Sequence, residues 1–174
     1  MNGIRVVCFY GPESTGKSTL AARLAHEFGT DWVPEVAREI VSTNQFSVDD
    51  IIRIGKAQTN RVFEKLKTAN RLLICDTDLI TTQIYSRHYL GQVPHELIEL
   101  EKTIQYDQYF LFDTNVPWVA DGLRDQGNPQ QRARMFDTFQ KELTTRGIPF
   151  TLVTGDYKQR ESFVRNALKS MLTS

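Results

Sequence analysis

The stretch Gly11-Pro12-Glu13-Ser14-Thr15-Gly16-Lys17-Ser18 sets two glycines with four residues between them, followed by a lysine and a hydroxyl residue. That spacing is the pattern of a phosphate-binding loop. Backbone N–H groups of such a loop, with the N-terminus of the helix behind it, present partial positive charge to phosphate oxygens. Lys17 would reach the β- and γ-phosphates, and the Ser18 hydroxyl would ligate Mg²⁺. Glu13, Ser14, Thr15 and Thr19 complete the nucleotide-facing set. Gly11 and Gly16 let the backbone curl round the phosphates without a Cβ in the way.

Three carboxylates and four arginines could serve this loop. Asp76 ends the apolar run Arg71-Leu72-Leu73-Ile74-Cys75, the Walker-B form, and would hold Mg²⁺ opposite Ser18. Asp78 follows it and either caps the next helix or contacts substrate. Glu35 lies just beyond a short apolar run and Pro34, on the edge of a parallel sheet where ligands bind. Arg38, three residues on, shares its helix face. Arg124, Arg132 and Arg134 form a guanidinium cluster suited to a lid over a transferring phosphate, with at most one of the last two facing the site.

The elements that must position these groups alternate. Apolar runs at Ile4–Tyr10, Asp31–Val33, Arg71–Asp76, Gln108–Asp113 and Pro149–Val153 predict five strands. Between them, helical periods predict helices after Lys17, from Ser47 to about Ala69, from Leu79 to Leu90, after Asn128-Pro129 and after Gly155. Gly29 and Gly147 end two of them. Ser47-Val48-Asp49-Asp50 predicts a capping box with Asp in place of Glu or Gln. In the helix from Ser47 to about Ala69, Gln58 interrupts an apolar stripe and is either a pocket residue or a boundary position. The last helix is expected to bury Phe163, Leu168 and Met171. A strand–helix alternation of this kind gives a parallel sheet with helices on both faces. The Walker-B strand neighbours the phosphate-loop strand in folds with such a loop, so the order 2-3-1-4-5 is expected.

At 174 residues, with 40% hydrophobic and 24% charged, the chain is expected to form one soluble domain over residues 1–174. Lys+Arg and Asp+Glu are equal at 21 each, which argues against a nucleic-acid or membrane-surface binder. No bilayer-length apolar run or signal segment is present, so a cytoplasmic protein is expected. Cys8 and Cys75 fall inside predicted strands and read as reduced core residues.

A GTPase switch would carry Asn-Lys-x-Asp and Asp-x-x-Gly motifs, and neither occurs. A small phosphotransferase is the remaining class. The segments Gly11–Ser18, Glu35-Val36-Ala37-Arg38-Glu39, Leu73-Ile74-Cys75-Asp76-Thr77-Asp78 and Pro117-Trp118-Val119-Ala120-Asp121-Gly122-Leu123-Arg124-Asp125 resemble, in order, the ribosylnicotinamide kinase domain of NadR-type NAD-biosynthesis proteins. The resemblance implies a P-loop NTPase three-layer sandwich and transfer of phosphate from ATP, with Mg²⁺, to the 5′-hydroxyl of nicotinamide riboside. Lys17, Glu35, Asp78 and Arg124 become the catalytic candidates, with Glu35 the first choice of base and Asp78 the second. Glu35, Arg38, Tyr85, Trp118 and Asp121 become the substrate-binding candidates. Tyr106 is a weaker aromatic candidate. Trp118 either stacks on a pyridinium ring or packs under the lid. A kinase for another nucleoside or small alcohol, and a regulatory nucleotide-binding relative without turnover, are the alternatives.

Overall fold

The computed structural model describes residues 3–41, 45–119 and 127–173. Strands β1 (Arg5–Tyr10), β2 (Trp32–Val33), β3 (Leu72–Asp76), β4 (Gln108–Phe112) and β5 (Phe150–Val153) form one sheet in the order β2-β3-β1-β4-β5. Every neighbouring pair is parallel. The expected strand order therefore holds. The connecting helices are α1 (Lys17–Glu27), α2 (Ala37–Ile40), α3 (Val48–Leu66), α4 (Leu79–Leu90), α5 (His95–Glu101), α6 (Pro129–Thr145) and α7 (Tyr157–Thr173).

The central strands are apolar on both faces because helices cover both. Val7 and Phe9 of β1, Leu72 and Ile74 of β3, and Phe110 and Phe112 of β4 pack with Leu20 and Leu24 of α1 and Val164 and Leu168 of α7. The alternate residues face the other way. Cys8, Tyr10, Tyr109 and Leu111 pack with Ile80 and Ile84 of α4 and with Met135, Phe139 and Leu143 of α6. Val6, Leu73 and Cys75 pack with Val62 of α3. Cys8 and Cys75 are side by side in the β1–β3 register, buried and unbridged, and burial pushes both thiols up.

Two helix starts follow directly from local sequence. The Ser47 side chain accepts from the Asp50 backbone N–H while the Asp50 carboxylate accepts from that of Ser47, a complete capping box. Asn128 accepts from the backbone N–H groups of Gln130 and Gln131 ahead of Pro129 at the first helical position. The expected inward face of α7 needs correction. Its buried residues are Arg160, Val164 and Leu168, while Phe163 is exposed and Met171 only half-buried. The helix turns so that Arg160 lies beneath the phosphate loop, donating to the Thr15 carbonyl.

No helix among the described residues is long and apolar enough to cross a membrane.

Candidate active site

Loop 11–16 leaves β1 at the C-terminal edge of the sheet, where parallel-sheet proteins bind ligands. Gly11 has φ +134°, and a Cβ there would stand 2.6 Å from the Phe112 carbonyl oxygen. Gly16 has φ +85°, and a Cβ would meet the Tyr157 ring at 2.8 Å. Both positions therefore need glycine for two reasons at once. Helix α1 follows Gly16 as its N-cap with no side-chain cap, so its N-terminus opens onto the hollow of the loop.

Two arginines shape this loop from behind. Arg132 donates to the Val116 carbonyl at 2.9 Å and to the Ser14 carbonyl at 3.5 Å. Arg160 donates to the carbonyls of Thr15 at 3.2 Å, Asp113 at 3.1 Å and Gly155 at 2.8 Å, and it is ion-paired with the Asp113 carboxylate. In a planar trans peptide the next N–H points opposite to the carbonyl. Drawing the Ser14 and Thr15 carbonyls toward the arginines therefore turns the N–H groups of Thr15 and Gly16 away from them. Sequence reasoning missed Arg160, since nothing local separates it from a surface helix arginine. Arg134 lies on the exposed side of α6 and does not join the site, because two residues on a helix face nearly opposite ways.

Arg160 is 1% exposed, and removing it strands the buried Asp113 carboxylate. Arg160→Met is expected to destabilise the protein by about 3–5 kcal/mol, the cost of breaking a buried pair from one side. A urea midpoint unchanged from wild type contradicts that role.

On the other side of the loop, Lys17 is buried and its Nζ donates to the Pro12 carbonyl at 2.6 Å and to Thr15 Oγ1 at 3.3 Å. The Ser18 hydroxyl donates to Asp76 Oδ2 at 2.5 Å. Asp76 Oδ1 is buried with no hydrogen-bond partner. Burial pushes the Asp76 carboxyl up to about 6 against the lowering influence of Lys17. A hydroxyl and a carboxylate oxygen left open beside it are hard donors of the kind Mg²⁺ takes, so Ser18 and Asp76 fit the metal.

Asp78 does not fit its expected role. Its Oδ1 accepts from the backbone and hydroxyl of Thr81, capping α4, and its Oδ2 accepts from the Tyr109 hydroxyl at 2.9 Å. It is 1% exposed, and it lines a hollow with Tyr106 and Tyr109 rather than the aromatic cleft described next. The capping alternative is the one realised. Burial raises this carboxyl to about 6. A folded-state pKa above the unfolded one gives stability present below about pH 4 and lost as pH rises through about 6. Asp78→Asn keeps a capping oxygen and is expected to flatten the Tm profile across that window. Phosphoryl transfer should stay within about threefold of wild type, since surviving contacts carry the structure; a hundredfold loss of kcat returns Asp78 to the base role.

Next to the phosphate loop lies a cleft lined by Glu13, Glu35, Val36, Arg38, Phe46, Ile51, Ile54, Gln58, Thr77, Thr81, Tyr85 and Tyr89. Glu13, Glu35 and Arg38 line the phosphate-loop hollow as well, so the two spaces adjoin at these three side chains. Arg38 Nε donates to Glu35 Oε2 at 3.1 Å, and both side chains remain partly exposed. The aromatic walls are Tyr85 and Tyr89, stacked at 6.2 Å, with Phe46 edge-on to Tyr89 at 5.2 Å. Thr77 carries φ +71°, unusual for a β-branched residue, and lies in the lining between Asp76 and Asp78. Gln58 is 2% exposed and belongs to this lining, so it is a pocket residue and not a boundary position.

Trp118 is placed elsewhere. Its indole N–H donates to Glu13 Oε1 at 3.0 Å, and the next residue's N–H donates to Ser14 Oγ at 2.8 Å. The ring thus braces the phosphate loop, and it does not line the aromatic cleft. Tyr106 is packed against Tyr109 and is likewise absent from the cleft. Asp121 and Arg124 lie outside the described residues. On the opposite side of the loop a second cleft is lined by Thr15, Gly16, Thr19, Leu20, Arg23, Val119 and Tyr157.

Known proteins share sequence and fold with this chain. The chain is 34% identical over 166 residues to the trifunctional NAD biosynthesis/regulator protein NadR of Salmonella typhimurium, and equally to that of Escherichia coli. Each alignment covers 90% of this chain and 40% of the relative, so the chain spans less than half the length of these relatives. The crystal structure of a NadR protein in complex with NR superposes with a TM-score of 0.82 at 21% identity, covering 99% of this chain and 52% of that one. A deoxyadenosine kinase from M. mycoides superposes at 0.67 with 15% identity, over 95% of this chain and 99% of that one. These structures share the P-loop kinase fold. The family model described as an AAA domain matches residues 6–160, and the chain belongs to that family.

Proposed function

We propose that this protein is a kinase that transfers the γ-phosphoryl group of ATP to the 5′-hydroxyl of nicotinamide riboside, giving nicotinamide mononucleotide and ADP. The observation that carries the proposal is the junction where the phosphate loop meets an aromatic cleft: the carboxylates Glu35 and Glu13 border both spaces, and Glu13 is already bonded by the Trp118 indole, which leaves Glu35 as the candidate base. A triphosphate on the loop and a nucleoside in the cleft would meet there, which removes most of the entropic barrier to transfer. The likeness to NadR supports the choice of nucleoside.

In this reaction the acceptor oxygen bonds to the γ-phosphorus as the bond to the β–γ bridging oxygen breaks. The hydroxyl proton passes to Glu35. Lys17 and the N–H groups of the loop balance charge on the phosphoryl oxygens. Ser18 and Asp76 would hold Mg²⁺, which when bound neutralises charge on the β- and γ-oxygens. Arg124 is the lid cation in this reading. Nicotinamide riboside carries a fixed positive ring charge, and the faces of Tyr85 and Tyr89 with the nearby carboxylates suit it. The second cleft beside Tyr157 and Arg23 is assigned to the adenine.

The test is incubation with ATP, Mg²⁺ and a panel of nucleosides, scored by ADP release and by mass spectrometry of the product. Phosphorylation of nicotinamide riboside in preference to the others is expected. Turnover of a different nucleoside replaces the substrate. Nucleotide binding with no turnover on any acceptor replaces the enzyme with a regulatory nucleotide binder.

A further inference from the structure

Gln58 lies mid-way along α3, on the stripe that carries Ile51, Ile54 and Val62, where an apolar residue would be expected. It is 2% exposed. Its Oε1 accepts from the Val36 backbone N–H at 3.1 Å. That bond decides which end of the amide faces which way, because only the oxygen can accept. Nε2, with two N–H groups, is buried and has no hydrogen-bond partner. Buried amide groups in folded proteins nearly always find an acceptor, and one left without costs stability. The side chain lines the acceptor cleft, so a ligand there can supply the missing acceptor.

We propose that Gln58 is a specificity-determining residue whose Nε2 donates to an oxygen acceptor on the ring of the nucleoside. For nicotinamide riboside this atom is the carboxamide carbonyl oxygen. The inference rests on the function proposed above. A neutral donor suits this partner: a lysine or arginine would repel a pyridinium cation, whereas an amide N–H recognises the carbonyl at no charge cost. The other end of the same amide holds Val36, the neighbour of Glu35. A ring seated on Nε2 therefore also steadies the backbone that carries the base.

The test compares kcat/KM, at pH 8, for three acceptors: nicotinamide riboside, 3-acetylpyridine riboside, which keeps the carbonyl, and pyridinium riboside, which has none. Wild type is expected to favour the first two over the third by about 10–100-fold, the discrimination lost when a buried donor is left unpaired. Gln58→Glu keeps an oxygen for the Val36 N–H but replaces the donor by an acceptor. Its preference for carbonyl-bearing acceptors is expected to collapse to about threefold or less, or to invert, on the same reasoning. Gln58→Met removes both ends and should lose the preference too, with a lower kcat from the unheld Val36. An unchanged preference in Gln58→Glu overturns the inference, as does a wild type that uses pyridinium riboside as well as nicotinamide riboside; the proposed function survives either result. If wild type phosphorylates no pyridine riboside while still binding ATP, the proposed function falls and this inference falls with it.

Discussion

Lys17→Ala is expected to lower phosphoryl transfer by about 10³-fold or more while leaving the protein folded. The Lys17 ammonium is buried against the loop it serves, bonded to the Pro12 carbonyl at 2.6 Å and to Thr15 Oγ1 at 3.3 Å. Those are oxygens of the loop itself, and phosphate oxygens are stronger acceptors for the same group. Loss of the side chain removes a buried cation and leaves the hydrophobic clusters on both sheet faces untouched, so Tm should stay near that of wild type. A second effect works through Asp76. Lys17 is the main influence that lowers the Asp76 carboxyl, which burial otherwise raises to about 6. Without Lys17 that carboxyl rises further, and Mg²⁺ must displace a proton to bind. Lys17→Arg should not restore activity, because a planar guanidinium cannot replace a point charge in this confined space. ADP release and circular dichroism measured on the same samples decide the matter. Turnover retained by a folded Lys17→Ala protein overturns the phosphate-loop reading itself.

Glu35→Gln is expected to cut kcat by about 10²-fold with little change in the nucleoside KM. Glu35 borders both the loop and the cleft, bonded among the described residues only to Arg38 three residues on, whereas Glu13, which borders both too, is held by the Trp118 indole. The alternative carboxylate, Asp78, is fully occupied in capping α4 and bonding Tyr109. The expected loss is smaller than for Lys17 because a loose phosphoryl-transfer transition state asks little of a base. A change confined to KM makes Glu35 a ribose-binding group. Steady-state kinetics with varied nucleoside at saturating ATP separates the two.

Residues whose roles depend on near neighbours in sequence were legible from sequence. The Gly11–Ser18 loop, the Ser47–Asp50 box and the Asn128 cap each act within a few residues, so spacing alone carries the signal. The apolar runs and helical periods likewise carry the five parallel strands and their helices, and the order follows from the Walker-B strand lying beside the phosphate-loop strand in folds with such a loop. Asp76 was readable from its place at the end of β3.

What sequence could not decide were the directions of side chains whose partners are remote. Asp76 and Asp78 differ by two positions, yet one opens toward Ser18 and the other closes on Tyr109, 31 residues away. By sequence Trp118 either stacks on a ring or packs under the lid, and its indole N–H bonds Glu13 across 105 residues. Arg160 reaches back 145 residues to the Thr15 carbonyl, and that attachment sets the rotation of α7, burying Val164 and leaving Phe163 outside. Gln58 bonds Val36 from a different helix. By itself, then, the sequence determined that a triphosphate binds to a parallel α/β sheet, with carboxylates near its edge. The tertiary structure decided which carboxylate faces the loop, which arginines hold it and which aromatic rings form the cleft. Backbone pattern is a property of short stretches. Side-chain direction is settled only when distant elements dock and each buried polar atom must find its partner.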